Sequence, residues 1–124
     1  MPGPAKFGAF VIECPEPAAL ATFYSELSGW PMARDDGDWV TLRRDGGGGI
    51  DLCFQQAPGF QGPTWPDPAS SMQYHIDFDV DDLDAGERRA LALGATKFDH
   101  QPDPANFRVF SDPVGHVFCL CIVN

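Results

Sequence analysis

Basic side chains are scarce in this sequence. Eight Lys and Arg stand against 18 Asp and Glu among 124 residues, for a formal net charge of −10. Polyphosphates need a basic footprint, so a nucleic-acid partner is disfavoured. An anionic membrane surface is disfavoured on the same ground. No apolar run approaches the roughly 20 residues that span a bilayer. The opening Met1-Pro-Gly-Pro-Ala-Lys6 holds no apolar signal core, so a cytoplasmic protein is expected. The four cysteines (Cys14, Cys53, Cys119, Cys121) form no CxxC pair and lie inside apolar runs. Reduced thiols are therefore expected rather than a disulfide framework, and Cys119-x-Cys121 alone is a weak metal signal. Nucleophile elbows, phosphate loops and Ser/His/Asp arrangements are absent. Asp45-Gly-Gly-Gly-Gly49 lacks the lysine of a phosphate loop and reads as a hairpin turn.

What the sequence does have is a repeat. Phe7-Gly-Ala-Phe-Val-Ile-Glu-Cys14 reads as a strand and runs into a helical stretch from Pro15 to Ser28. Pro17 suits the first turn and Glu16 its positive end. Leu20, Phe23, Tyr24 and Leu27 recur on one helical face, and Ser28-Gly29 ends it. The second half repeats the order roughly 65 residues on. Met72–Val80 alternates as a strand with one apolar face. Asp81–Leu93 follows as a helix with acids early, bases later, and an apolar stripe at Leu83, Ala90 and Leu91. Gly94 caps it.

Three short strands are expected after each helix, bounded by turn residues. The first set is Trp30–Arg34, Trp39–Arg44 and Ile50–Gln56; the second is Thr96–Asp99, Phe107–Ser111 and His116–Val123. One domain is expected, with module one over about 6–56, a proline-rich linker over 57–71, and module two over about 72–124. Phe60 and Trp65 in the linker either pack onto the domain or belong to a lid.

Period two assigns strand faces. Tyr74, Ile76, Phe78 and Val80 should meet the second helix, leaving His75, Asp77 and Asp79 on the other face. Ile50, Leu52 and Phe54 oppose Asp51, Cys53 and Gln55. Phe10 and Ile12 oppose Ala9, Val11 and Glu13. Phe118, Leu120 and Ile122 oppose Val117, Cys119 and Cys121. The second faces together carry Glu13, Asp51, Asp77 and Asp79 with His75 among them. The bland reading is a solvated sheet face. A crowd of carboxylates could instead raise one pKa and supply a general base, or trap a cation. Trp39 and Phe107 occupy matching strands and either line a pocket or pack in the core. His116, in its turn, reads as structural, and His100 as a solvated loop residue. Arg108 either points outward or meets an anion.

Three segments in order carry a family resemblance. They are Ala19-Leu-Ala-Thr-Phe-Tyr-Ser-Glu-Leu-Ser-Gly-Trp30, His75-Ile-Asp-Phe-Asp-Val-Asp81, and Asp112-Pro-Val-Gly-His-Val-Phe-Cys-Leu120. On these the chain resembles the vicinal oxygen chelate superfamily of glyoxalases, bleomycin resistance proteins and extradiol dioxygenases. The resemblance implies an α+β fold of two βαβββ modules forming a cupped mixed sheet, with helices on the outside. It implies a homodimer, and a divalent metal held by the first and fourth strands of each module. Those positions fall on Ala9, Asp51, His75 and Cys119. Ala9 offers no ligand, and a thiolate at Cys119 suits hard metals poorly. Zinc could accept Asp, His and Cys together. The expectation is therefore no resident metal of the usual kind, with zinc, nickel, manganese or iron kept as the alternative.

The leading functional expectation is a small-molecule-binding domain of the resistance-protein type. Its pocket residues are expected to be Glu13, Trp39, Asp51, His75, Asp77, Phe107 and Cys119. The alternative is a metal-dependent lyase, isomerase or dioxygenase; a third reading is an enzyme that uses acid–base groups alone. His75 and Asp51 are the candidates for catalysis in either enzyme.

Overall fold

A computed structural model describes residues 3–122. These divide into two compact units, with the boundary between Phe60 and Gln61. Each unit is built by the same order of elements.

In the first unit, β1 (Ala9–Cys14) alternates, with Ile12 and Cys14 buried and Val11 and Glu13 exposed. Helix α1 (Pro17–Ser28) starts with proline at its first position, where no N–H is needed. It ends at Gly29, whose φ of 78° is the left-handed conformation that glycine adopts without strain. Leu20, Phe23 and Tyr24 are buried as their spacing requires, and Tyr24 stacks on Phe54 with ring centroids 5.7 Å apart. Strands β2 (Met32–Asp35), β3 (Trp39–Leu42) and β4 (Asp51–Gln56) complete a sheet of order β1-β4-β3-β2. Only the β1–β4 pairing is parallel. Trp30 stays outside β2. Its carbonyl accepts from the Ser25 hydroxyl, and its N–H donates to Ser28 Oγ, so it belongs to the helix end.

The second unit repeats this topology as β5-β8-β7-β6. Its elements are β5 (Ile76–Val80), α2 (Leu83–Leu93), β6 (Thr96–Lys97), β7 (Phe107–Ser111) and β8 (Val117–Ile122). Again the first and last strands run parallel and the others antiparallel. The expected α+β fold of two βαβββ modules is thus present, its strands forming two four-stranded mixed sheets, one per unit. Asp82 caps α2 by accepting from the Ala85 N–H at 3.1 Å.

Three further expectations need correction. The buried stripe of α2 is Leu83 and Ala90, with Gly86 between them, and Leu91 is exposed. A Cβ at Gly86 would lie 3.2 Å from Leu120 and 3.3 Å from Val80, so the missing side chain lets α2 lie close on its sheet. Leu91, about 100° round the helix from Ala90, then faces water. Strand β5 begins at Ile76 rather than Met72, because Gln73 has a φ of 64° and breaks the extended run. Tyr74 therefore misses the helix; it is exposed, with its hydroxyl 3.4 Å from His116 Nδ1. Strand β6 stops at Lys97, where the Gln101 side chain takes over from the ladder. Its amide donates to the Phe98 and Val109 carbonyls and accepts from the Val109 N–H.

The Asp112–His116 turn aims β8. Asp112 is buried and its Oδ1 accepts from the N–H groups of Val114, Gly115 and His116 at 2.9–3.0 Å. His116 is buried against this turn, consistent with a structural role. Most of the linker, from Gln61 on, belongs to the second unit. Gly62 packs on the Gly115 backbone, and Trp65 meets Phe98 at 4.9 Å and His100 at 5.3 Å between ring centroids.

Candidate functional site

The face of the second sheet opposite α2 carries Asp77 and Asp79, then Cys119 and Cys121, then Phe107 and Val109, with His75 just before β5. The strands need not be guessed apart, because the register fixes them. Asp77 pairs with Cys119 across β5–β8, and Val109 pairs with Cys119 across β7–β8. Val109, Val117 and Cys119 form a small buried cluster, and Trp65, Met72 and Phe107 pack on it.

Over that cluster lies a cavity of about 280 Å³. Its apolar wall includes Trp65, Met72, Phe107, Val109 and Val117. His75, Asp77 and the thiols of Cys119 and Cys121 are its remaining functional groups, beside Pro102. His75 Nε2 lies 3.1 Å from Asp77 Oδ1, with both side chains open to solvent. Cys119 is buried, and its thiol is pushed up to about 12, first by burial and then by the negative charge of Asp77. Burial and the same carboxylate raise Cys121. A nucleophilic cysteine needs the opposite shift, so neither thiol is an activated nucleophile. One donor atom each from His75, Asp77 and Cys119 lies within 4.8 Å of the others.

Of the seven residues expected to line a pocket, the cavity in the second unit gathers His75, Asp77, Phe107 and Cys119. Glu13, Trp39 and Asp51 lie in the first unit. Glu13 is exposed on β1. The Trp39 indole N–H donates to Thr41 Oγ1 at 3.1 Å, and Thr41 Oγ1 is 3.6 Å from Cys53 Sγ. Asp51 is clamped by Arg43, whose Nε and Nη2 donate to its two oxygens at 3.1 Å each. That hydrogen-bonded guanidinium holds the Asp51 carboxyl below its usual range. At Asp51 the shift therefore runs opposite to the rise toward base strength that crowding among carboxylates would give. The Arg108 guanidinium is engaged within its unit, reaching Asp84 and Glu87 on α2 at 2.8 and 3.2 Å.

The ladders also refine the internal repeat. Val11 pairs with Cys53 as Asp77 pairs with Cys119, while Asp51 sits opposite Ala9. The first-unit counterpart of Cys119 is therefore Cys53, two residues beyond Asp51. Sequence reasoning missed Met72, Pro102, Val109 and Val117 as lining residues. None carries a chemical signature, and only the fold brings them together. Trp65 was visible as an aromatic in a proline-rich linker, but its destination was not.

The chain belongs to the glyoxalase-like domain family, whose model matches residues 9–121. No curated protein matches the sequence. Solved structures of similar fold include a glyoxalase/bleomycin resistance protein/dioxygenase family enzyme from Burkholderia phytofirmans PsJN. It is 18% identical, with a TM-score of 0.73 over 97% of this chain and 100% of that one. The genomically encoded fosfomycin resistance protein FosX from Listeria monocytogenes is 16% identical, with a TM-score of 0.65 over 100% of this chain and 94% of that one. The oxidase ChaP-H2 is 19% identical, with a TM-score of 0.67 over 97% and 94%. The wider vicinal oxygen chelate superfamily often uses a metal. The usual four-position set is not met here, since Ala9 carries no donor and the register puts Cys53, not Asp51, in the place that Cys119 holds in the second unit. No helix of the described residues is long and apolar enough to cross a membrane.

Proposed function

We propose that this chain is a small-molecule-binding domain of the resistance-protein type, without the usual metal set of its superfamily. Its ligand would be an organic cation with an apolar body. One observation carries the reading: a cavity of about 280 Å³ with an apolar wall and a carboxylate, Asp77, among its few polar side chains. Small-molecule pockets combine these features, and this volume is near the lower end of their range of about 300–1,000 Å³. The apolar wall rewards burial of hydrocarbon. Asp77 supplies the opposite charge, and the Trp65 and Phe107 rings offer cation–π surface. A net charge of −10 raises the local concentration of cations and repels anions.

The test is calorimetric titration with benzyltrimethylammonium and, as an anion of similar size, benzenesulfonate. The cation should bind and raise the melting temperature. Asp77→Asn should weaken it by about tenfold or more, the scale of one lost charge-assisted contact. Equal binding of cation and anion, or indifference to Asp77→Asn, would sink the reading. The alternative of metal-dependent lyase, isomerase or dioxygenase chemistry draws support from the His75, Asp77 and Cys119 donors.

A further inference from the structure

We infer that His75, Asp77 and Cys119 form a metal site contained within the second unit, with a thiolate that selects soft or borderline divalent ions such as zinc over magnesium and manganese. The inference does not rest on the organic-cation reading, and the two compete, because a metal ion would take the Asp77 carboxylate that the other reading gives to an organic cation; it starts from the mismatch between this chain and the oxygen-rich set of its superfamily.

The register makes the site. Asp77 and Cys119 are directly paired on parallel strands, so their side chains leave the sheet on the same face. His75 stands two residues before Asp77, and its Nε2 already lies 3.1 Å from Asp77 Oδ1. Ligand atoms about 2.0–2.3 Å from a tetrahedral zinc stand roughly 3.3–3.7 Å from one another. The His75–Asp77 spacing is close to that value, and all three donors lie within 4.8 Å. Closing the set takes about 1 Å of movement on that zinc geometry. The His75 and Asp77 side chains are exposed, which leaves them room for that movement. Cys119 is fixed by its buried cluster and acts as the anchor.

The donor chemistry sets the preference. Imidazole, carboxylate and thiolate are all zinc ligands, whereas magnesium and manganese prefer oxygen. Three protein donors leave a fourth tetrahedral position for water or another ligand, and this one would open into the cavity described above. Asp51 plays no part, because both its oxygens are engaged by Arg43. Binding converts the Cys119 thiol to a metal thiolate and releases one proton to solvent, with no change of oxidation state.

Cobalt(II) titration of the full chain, after stripping with a chelator, tests the inference. A sulfur-to-cobalt charge-transfer band in the near ultraviolet should grow to one equivalent. Zinc should displace the cobalt, and millimolar-scale magnesium should not. Cys119→Ser should abolish the band. Cys121→Ser, which alters the neighbouring thiol on the same face, and Asp51→Ala should retain it. Asp77→Ala should weaken affinity by more than about 100-fold, beyond the 10–100-fold typical of lost outer-shell partners. Thermal melts of each apo variant separate lost folding from lost ligation, and the exposed Asp77 variant should melt with the wild type. The inference is overturned if no such band forms, or if the band survives Cys119→Ser. It is also overturned if Asp51→Ala weakens binding as much as Asp77→Ala.

Discussion

Asp77 and Cys119 are partners in the parallel β5–β8 ladder, and the carboxylate charge acts on the buried thiol. Burial and that negative charge push the thiol from its ordinary 9.0 up to about 12. The sign of the linkage follows. Between these values the unfolded chain has lost the thiol proton and the native chain has kept it. Stability from this group is complete below the ordinary thiol range and falls as pH rises toward about 12. In metal-free protein, Cys119→Ser should flatten that alkaline decline. Iodoacetamide should alkylate Cys119 far more slowly at pH 8 than it alkylates an exposed thiol. Asp77→Asn should move the alkylation midpoint downward, yet leave it above the ordinary range, because burial is the larger cause. An unmoved midpoint in Asp77→Asn would refute the role given to the carboxylate.

Arg43 and Asp51 form the opposite case. Two parallel N–H···O bonds hold the carboxyl below its usual range. Asp84, bonded to Arg108, is lowered in the same way. A depressed carboxylate stabilises the fold above its ordinary range, and that contribution is lost as pH falls through the native pKa. Carbon-detected NMR titration should place both Asp51 and Asp84 below an unperturbed aspartate. Arg43→Ala should return Asp51 toward about 3.9, the ordinary aspartate value, while leaving Asp84 unmoved. An Asp51 midpoint above that value would restore it as a candidate base.

Most of the fold was legible because local signals agreed with one another. The Pro17 start, the Gly29 and Gly94 ends and the alternation of β1 and β5 were all readable without coordinates. The misses have local physical causes. Gln73 breaks an alternation that runs on in the sequence, and Gln101 replaces a ladder that β-propensity would have extended. Asp51 was read as a deep pocket carboxylate because Arg43, eight residues earlier, gives no sign of where its guanidinium will point. Period two alone put His75 and Asp77 on the polar face of their strand and Cys119 opposite the apolar face of its own, while Phe107 was left open between pocket and core. That the face is walled by Trp65, Met72 and Val117 depends on a linker path that composition does not encode.

The Asp112 turn should be a stability hot spot although it touches no cavity-lining charge. One buried carboxylate oxygen satisfies three backbone N–H groups at the entry to β8. Asp112→Ala strands those donors, at a cost of about 1–3 kcal/mol for each one left buried and unpaired. Water will reach part of the turn, so a total near 3 kcal/mol is the expected loss in urea unfolding. Asp112→Asn keeps an acceptor oxygen in place and should recover more than half of it. Equal losses for Ala and Asn would mean that the carboxylate charge, not the acceptor geometry, matters.

Gly62 makes a sharper test of how the linker serves the cavity. A Cβ there would sit 2.8 Å from the Gly115 carbonyl oxygen and 3.0 Å from its carbon, both of them backbone. Backbone cannot rotate away as a side-chain tip can, so Gly62→Ala forces the linker off the Asp112–His116 turn. Overpacking of this kind costs about 1–3 kcal/mol. Trp65 is three residues further on and contributes to the cavity wall, so the displacement should also lower affinity for any ligand bound there. Gly59→Ala is the control, since a Cβ there meets nothing within 4 Å, and its effect should stay within about 0.5 kcal/mol. If Gly62→Ala lowers the melting temperature but leaves Trp65 fluorescence and ligand affinity as in the wild type, the linker is a structural strap whose position the cavity does not need. If stability and affinity fall together in Gly62→Ala and neither falls in Gly59→Ala, the close approach of Gly62 to Gly115 is what holds the aromatic wall in place.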